Sequence, residues 1–236
     1  MQSTTYNPLI EIKNNLPEVL HTTEKGETLT IHGINIATED EEKAIISTLS
    51  NNEIMQYYKS GILDKETSKN RIDLWQKIFN QEEPKLLHLL IKKDSEYIGK
   101  IGLCYENNSR VQIWFLTNQQ IDSDTMREIG ILVQQLLLPI KVGVYGTYHP
   151  DNKTEGSLFK SIGLELITQE SQRVRDTGLR YIVANAEMDT KKLLEDKIDQ
   201  EAIKSFNAPE ESKEESKTWL QTMQAYKDMP QCSLNK

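Results

Sequence analysis

Three strand-like segments, Leu86 to Lys92, Tyr97 to Tyr105 and Arg110 to Thr117, follow one another with only the polar turns Lys93-Asp94-Ser95 and Asn107-Asn108 between them. Connections this short admit only antiparallel neighbours, because a parallel crossover needs a dozen or more residues. A three-stranded meander therefore sits at the middle of the chain, and the segments on both sides must supply the layers that bury it. Upstream, Leu29, Ile31, Ile34 and Ile36 have strand spacing over 28–36. The acidic stretch Glu39 to Glu42 then opens a helix with Ala44, Ile45 and Leu49 on one side, and a second helix over about 66–80 aligns Ile72, Trp75 and Phe79.

Downstream, Met126, Ile129, Val133, Leu136 and Leu137 recur at helical spacing until Pro139 interrupts them. A strand is expected over Ile140 to Thr147, then a short helix from Asp151 to Ile162 ending at Gly163. A last hairpin over 164–173 and 179–185 turns about Asp176-Thr177-Gly178. The expected order is βααβββαβαββ: an α/β (α+β) fold with a mixed, mostly antiparallel central sheet flanked by helices. Residues 1–26, with Pro8 and Pro17, read as an N-terminal arm with one short docked segment, and 27–186 as the domain. Residues 187–236 read as a helical extension in which Leu194, Ile198, Ala202 and Phe206 mark one amphipathic helix and Trp219, Met223 and Tyr226 another.

A net charge of -8 argues against nucleic acid and anionic lipid as partners, since both require a basic surface. The apolar runs are too short or too mixed to cross a bilayer, and no basic-then-apolar leader opens the chain, so a cytoplasmic location is expected. Only Cys104 and Cys232 are present, which suggests neither a disulfide framework nor a zinc site. The two C-terminal amphipathic stripes need something to bury against, and a protein partner is one expectation.

Three phrases in order carry a resemblance: Leu49-Ser50-Asn51-Asn52-Glu53-Ile54-Met55-Gln56-Tyr57-Tyr58; Tyr97-Ile98-Gly99-Lys100-Ile101-Gly102-Leu103; and Pro150-Asp151-Asn152-Lys153 followed by Leu158-Phe159-Lys160-Ser161-Ile162-Gly163-Leu164. With the element order, they resemble the GNAT (general N-acetyltransferase) superfamily, in particular its branch that acetylates ribosomal-protein N termini, over about residues 27–185. The resemblance implies acetyl-coenzyme A as cofactor and direct attack of a substrate amine on the thioester. Such a protein must hold the pyrophosphate, take up the amine's proton and stabilise the oxyanion. It places cofactor contacts at Phe115, Leu116, Thr117, Gln119, Ser123, Asp124 and Asn152, the last on the pantetheine arm. The serine common three residues after that asparagine is Glu155 here, and Ser157, Tyr148 and His149 are the other candidates for proton transfer.

The chain departs from the family pattern where charge matters most. Backbone N–H groups of a glycine-rich turn, Q/R-x-x-G-x-G/A, normally receive the pyrophosphate at the mouth of the central helix. Here the segment reads Gln119-Gln120-Ile121-Asp122-Ser123-Asp124, with aspartates at the glycine positions. A like-charge pair about 5 Å apart costs roughly 3 kcal/mol at an effective dielectric of about 20. The same residues suit helix capping, and Thr125 with Glu128 matches a T-x-x-E capping box. Where the relatives often read glutamate-isoleucine-glycine-tyrosine, this chain has Gln112-Ile113-Trp114-Phe115. Glutamine cannot take up a proton as a carboxylate does, and Trp114 either fills the cleft or faces the other layer as core.

Two functions are therefore expected as alternatives. One is a GNAT-fold binding or regulatory protein with no cofactor; the other is an acetyl-coenzyme A-dependent N-acetyltransferase acting on a protein or small-molecule amine. The acidic run Glu210 to Glu215 resembles the translocation signal of type IV secretion effectors, and the Asn-, Lys-, Glu- and Ile-rich composition fits an AT-rich bacterial genome. Export into a host cell is a further expectation, although an acidic helix start accounts for the same residues.

Overall fold

The computed structural model describes residues 7–16, 21–23, 25–58, 60–106, 110–118, 121–137, 140, 142–173 and 180–188. The first described element is α1 (Pro8–Asn14), which has proline in its first turn and Asn7 as its cap, followed by the two-residue β1 (His21–Thr22). Next come β2 (Thr28–Gly33), a 3-10 turn over Ile34–Ile36, α2 (Glu39–Leu49), the single-turn α3 (Asn52–Met55) and α4 (Lys65–Phe79). The meander is β3 (Leu86–Lys93), β4 (Glu96–Glu106) and β5 (Arg110–Thr117). After it run α5 (Ser123–Leu137), β6 (Gly143–Tyr148), α6 (Lys153–Ser161), β7 (Leu164–Arg173) and β8 (Arg180–Met188). The expected 187–236 extension lies outside the described residues from 189 onward, as does the last hairpin's turn, 174–179.

Local chemistry explains most boundaries. Thr38 and Glu41 close a reciprocal capping box at the start of α2, and the Asp64 carboxylate caps α4. Asp94 and Ser95, both with positive φ, form the tight turn between β3 and β4. Several boundaries differ from expectation, among them the last strand, which runs to Met188 rather than 185. The first strand stops at Gly33, because Ile34–Ile36 coil into a 3-10 turn that buries Ile34 and leaves Ile36 exposed. The sixth strand starts at Gly143 rather than Ile140, whose N–H still bonds the Leu137 carbonyl at the end of α5. The segment expected as an arm carries a docked piece: Leu9 and Ile12 of α1 are fully buried in the core, and β1 pairs with Thr28 and Leu29.

All eight strands form one sheet in the order β1-β2-β3-β4-β5-β6-β8-β7. Every described pairing is antiparallel except β5 with β6, which run parallel from Arg110 opposite Gly143 to Ile113 opposite Gly146. Beyond that point β6 is held by β8, while Trp114 to Thr117 of β5 keep only β4 as a neighbour. The two strands thus splay apart. Strand alternation sends Trp114 to the face covered by α4 and Phe115 to the face covered by α6.

The α5 and α6 helices cross closely at Gly130. A methyl group there would lie 2.6 Å from the backbone oxygen of Ser161. Alanine normally stabilises a helix interior by about 1 kcal/mol over glycine, but overpacking against an immovable carbonyl costs about 1–3 kcal/mol. Gly130→Ala is therefore expected to lower stability, as a reduced urea midpoint; an increase would show that α6 can move aside.

Candidate functional site

The splay between β5 and β6 is filled by a short chain of hydrogen bonds from both sides of the sheet. From α6, the Glu155 carboxyl accepts the Phe115 backbone N–H at 3.1 Å through Oε1 and Asn152 Nδ2 at 3.0 Å through Oε2. From the loop after α3, the Tyr58 hydroxyl donates to the Phe115 carbonyl at 2.8 Å, and it accepts from Asn152 Nδ2 at 3.3 Å. Asn152 also caps α6, its Oδ1 taking the Glu155 N–H. Both backbone groups that Phe115 turns toward the splay thus have partners from within the chain, as a buried strand edge requires.

Glu155 is buried, and that burial pushes its carboxyl up to about 8; the Phe115 and Asn152 donors offset the effect only in part. The Tyr58 phenol is raised well above its usual value, first by burial and then by the nearby negative charge of Glu155. A carboxyl that exchanges a proton near neutrality, next to a buried phenol, is chemically able to pass protons.

At the mouth of α5, the Asp122 carboxylate occupies the first turn. Oδ1 accepts the backbone N–H groups of Asp124 at 3.1 Å and Thr125 at 2.9 Å, while Oδ2 accepts the Thr125 hydroxyl at 2.7 Å. Those Thr125 bonds hold the Asp122 carboxyl down to about 2, so it stays anionic. Of the two capping patterns in the sequence the aspartate is the one used: Asp122 is the cap, and Glu128 pairs with Arg127. Lys93 reaches Glu27 at 2.9 Å, the Thr125 hydroxyl at 3.1 Å and Asp122 at 3.8 Å, and Lys25 pairs with Asp124 at 2.6 Å. Three carboxylates thus face two lysines.

Glu155, Asn152 and Phe115 meet in the splay, where Tyr58 joins them. Leu116 is buried and Thr117 half-buried farther along β5. Ser157 does not belong to this group: it is exposed on α6, two residues past the buried Glu155 and so turned away from the sheet. Tyr148 packs its ring against Phe159 at 5.4 Å. His149 lies against Tyr57 at 5.6 Å and accepts the Asp151 N–H, which makes it part of the turn before α6. Ser123 and Asp124 are exposed at the start of α5, and Gln119 lies outside the described residues. Trp114 faces α4 and not the splay, so of its two expected places it takes the other layer, where it is half-buried against His88. The Gln112 amide donates to the Thr147 hydroxyl at 3.3 Å. Tyr58 carried no periodic signal, and its part in the splay depends on a loop folding across the sheet. Among the described residues, no grouping of His, Cys, Asp and Glu is placed to hold a metal ion, and no helix is long and apolar enough to cross a membrane.

The sequence matches no protein-family model and no curated protein. Solved structures do match in fold. A GNAT-family acetyltransferase from Bacillus anthracis aligns at a TM-score of 0.56 and 12% identity, over 72% of this chain and 97% of its own. A spermidine N-acetyltransferase from Vibrio cholerae, solved with CoA and spermine, gives 0.56 and 14%, over 70% of this chain and 98% of its own. An acetyl transferase from Salmonella typhimurium that modifies the N-terminal serine of a 50S ribosomal subunit protein gives 0.56 and 14%, over 72% and 98%. At such identities the likeness is one of fold, and it spans nearly the whole of each of those chains.

Proposed function

The chain has the GNAT fold, and on that premise we propose that it is a binding or regulatory protein whose coenzyme cleft is filled by its own side chains. The observation that carries this reading is the Asp122 carboxylate, bound to two first-turn N–H groups of α5. Those amides, with the positive end of the helix dipole, are what a pyrophosphate would need, and an internal anion already satisfies them. Acetyl-coenzyme A fits poorly at a second point as well. The Phe115 amide and carbonyl are engaged by Glu155 and Tyr58, and the Asn152 side chain is spent on Glu155 and Tyr58. A coenzyme would have to break these buried bonds and gain nothing better in exchange.

Thermal unfolding with and without acetyl-coenzyme A tests the reading. A ligand present at about 100 times its dissociation constant stabilises a native state by about 2.7 kcal/mol. No shift in Tm is expected at millimolar coenzyme; a clear rise would overturn the proposal. One observation favours the alternative of an active N-acetyltransferase: Glu155, titrating near 8, is a competent proton carrier at the strand edge. That reading requires the coenzyme to displace Asp122, so the same measurement separates the two.

A further inference from the structure

Between α4 and the sheet lies a second buried polar cluster, on the face opposite α6. Lys100 of β4 and His88 of β3 are each 3% exposed, and Lys100 Nζ is 3.1 Å from His88 Nδ1. The same Nζ sits 3.9 Å from the centroid of the Trp75 ring, on which His88 is stacked at 4.1 Å, and Trp114 meets the imidazole edge-on at 5.8 Å. His88 Nε2 is buried and has no partner among the described residues.

The charges around this box all act in one direction. Arg71 of α4 bears on both groups, and Lys100 itself bears on His88. The nearby carboxylates are engaged elsewhere: Glu41 by His32 and Lys92, Glu42 by Lys69 and Gln76, and Asp73 by Lys69. On α1, which packs on β3 and β4, Lys13 is directed to the Gln81 carbonyl and the Phe79 ring, and Glu11 is the only acidic group. Burial, reinforced by Arg71, brings the Lys100 amine down to about 7, and burial holds His88 well below its usual range.

Protonation changes which hydrogen bonds are possible. A neutral amine can donate to Nδ1 or accept from Nδ1–H, so either imidazole tautomer is tolerated. An ammonium can only donate. That forces the imidazole proton onto Nε2, where it has no acceptor, while the ring faces are left to balance a full charge. We infer that Lys100 and His88, boxed by Trp75 and Trp114, form a proton-operated fastening between α4 and the sheet, holding the helix down when neutral and loosening it when Lys100 is protonated.

The box contains its own probes, since Trp75 and Trp114 are two of the three tryptophans. In the full-length chain carrying Trp219→Phe, tryptophan fluorescence is expected to titrate with a midpoint between about pH 6 and 8. Amide exchange along α4, corrected for its intrinsic pH dependence, should accelerate several-fold on the acid side of the same midpoint. Lys100→Met, which keeps volume and removes the titrating group, should abolish both changes. A transition that survives in Lys100→Met, or the lack of any transition from pH 5.5 to 9, overturns the inference. Should that variant fail to fold, the 13Cε shift of Lys100 in the otherwise unaltered chain gives the answer directly: titration near neutrality supports the fastening, and titration above pH 10 rules it out.

Discussion

Phe159→Ala is expected to lower the stability of the domain by about 3–5 kcal/mol, the usual cost of removing a fully buried phenylalanine. Phe159 is 1% exposed on the inner face of α6, edge-on to Phe115 at 5.6 Å and tilted against Tyr148 at 5.4 Å. Its ring lies over the last residue pair that joins β5 to β6. A methyl group on Gly146 would come within 2.4 Å of that ring and 3.1 Å of the Ile113 carbonyl. The ring is thus the wedge beside which the strands separate, and Gly146 is what lets it approach. Gly146→Ala alone should also destabilise, yet in the Phe159→Ala background the new methyl enters vacated space. Urea unfolding of both single variants and the double is expected to show coupling of about 1 kcal/mol or more, with the remaining contact to Ile113 keeping the rescue partial. Simple additivity would mean that the wedge and the glycine are unrelated.

Glu155→Gln should reverse the sign of its effect with pH. In the native chain the Glu155 carboxyl retains its proton up to about pH 8, whereas an unfolded glutamate releases it near 4.5. Between those values the folded state binds the extra proton, so stability falls as pH rises, by an amount on the order of 5 kcal/mol. Below pH 4.5 this contribution is fully present, and above pH 8 it is lost. Glutamine keeps an acceptor for the Phe115 N–H but presents an NH2 group to Asn152 Nδ2, which costs about 1 kcal/mol at every pH. The variant should therefore be the less stable protein at pH 5 and the more stable one at pH 8.5. Stability curves that run parallel across this range would show that the carboxyl is ionised throughout. Lys100 acts in the opposite sense. Its folded value is depressed from 10.5 to about 7, so its contribution is present above pH 10.5 and lost as pH falls through 7. The two slopes must be separated by single variants and not read from the native curve alone.

Much of the site chemistry was legible in residue types. The aspartates where a phosphate-binding turn would carry glycine announced an anion at the mouth of α5, and Asp122 supplies one. Glu155 was legible only as a carboxyl in place of a serine; that it reaches the Phe115 amide was not. The capping partner was not legible. Thr125 with Glu128 and Asp122 with Thr125 are equally good local patterns, and the choice depends on where the chain enters the helix. Tyr58 stood at the end of a family-like phrase that gave it no role, because its contacts lie 57 and 94 residues away in sequence. Lys100 and His88 lie on neighbouring strands twelve residues apart, and nothing local marks them as partners.

By itself the sequence determined the antiparallel meander and the succession of the longer helices and strands around it, though not β1 or the single-turn α3. These follow from periodicity and short turns, which act over a few residues. Tertiary structure alone decided which polar groups lost their water: Glu155 and Tyr58 in the splay, Lys100 and His88 beneath α4. Desolvation depends on what the rest of the chain brings to cover a group, and it is desolvation that sets their proton affinities and gives them something to do.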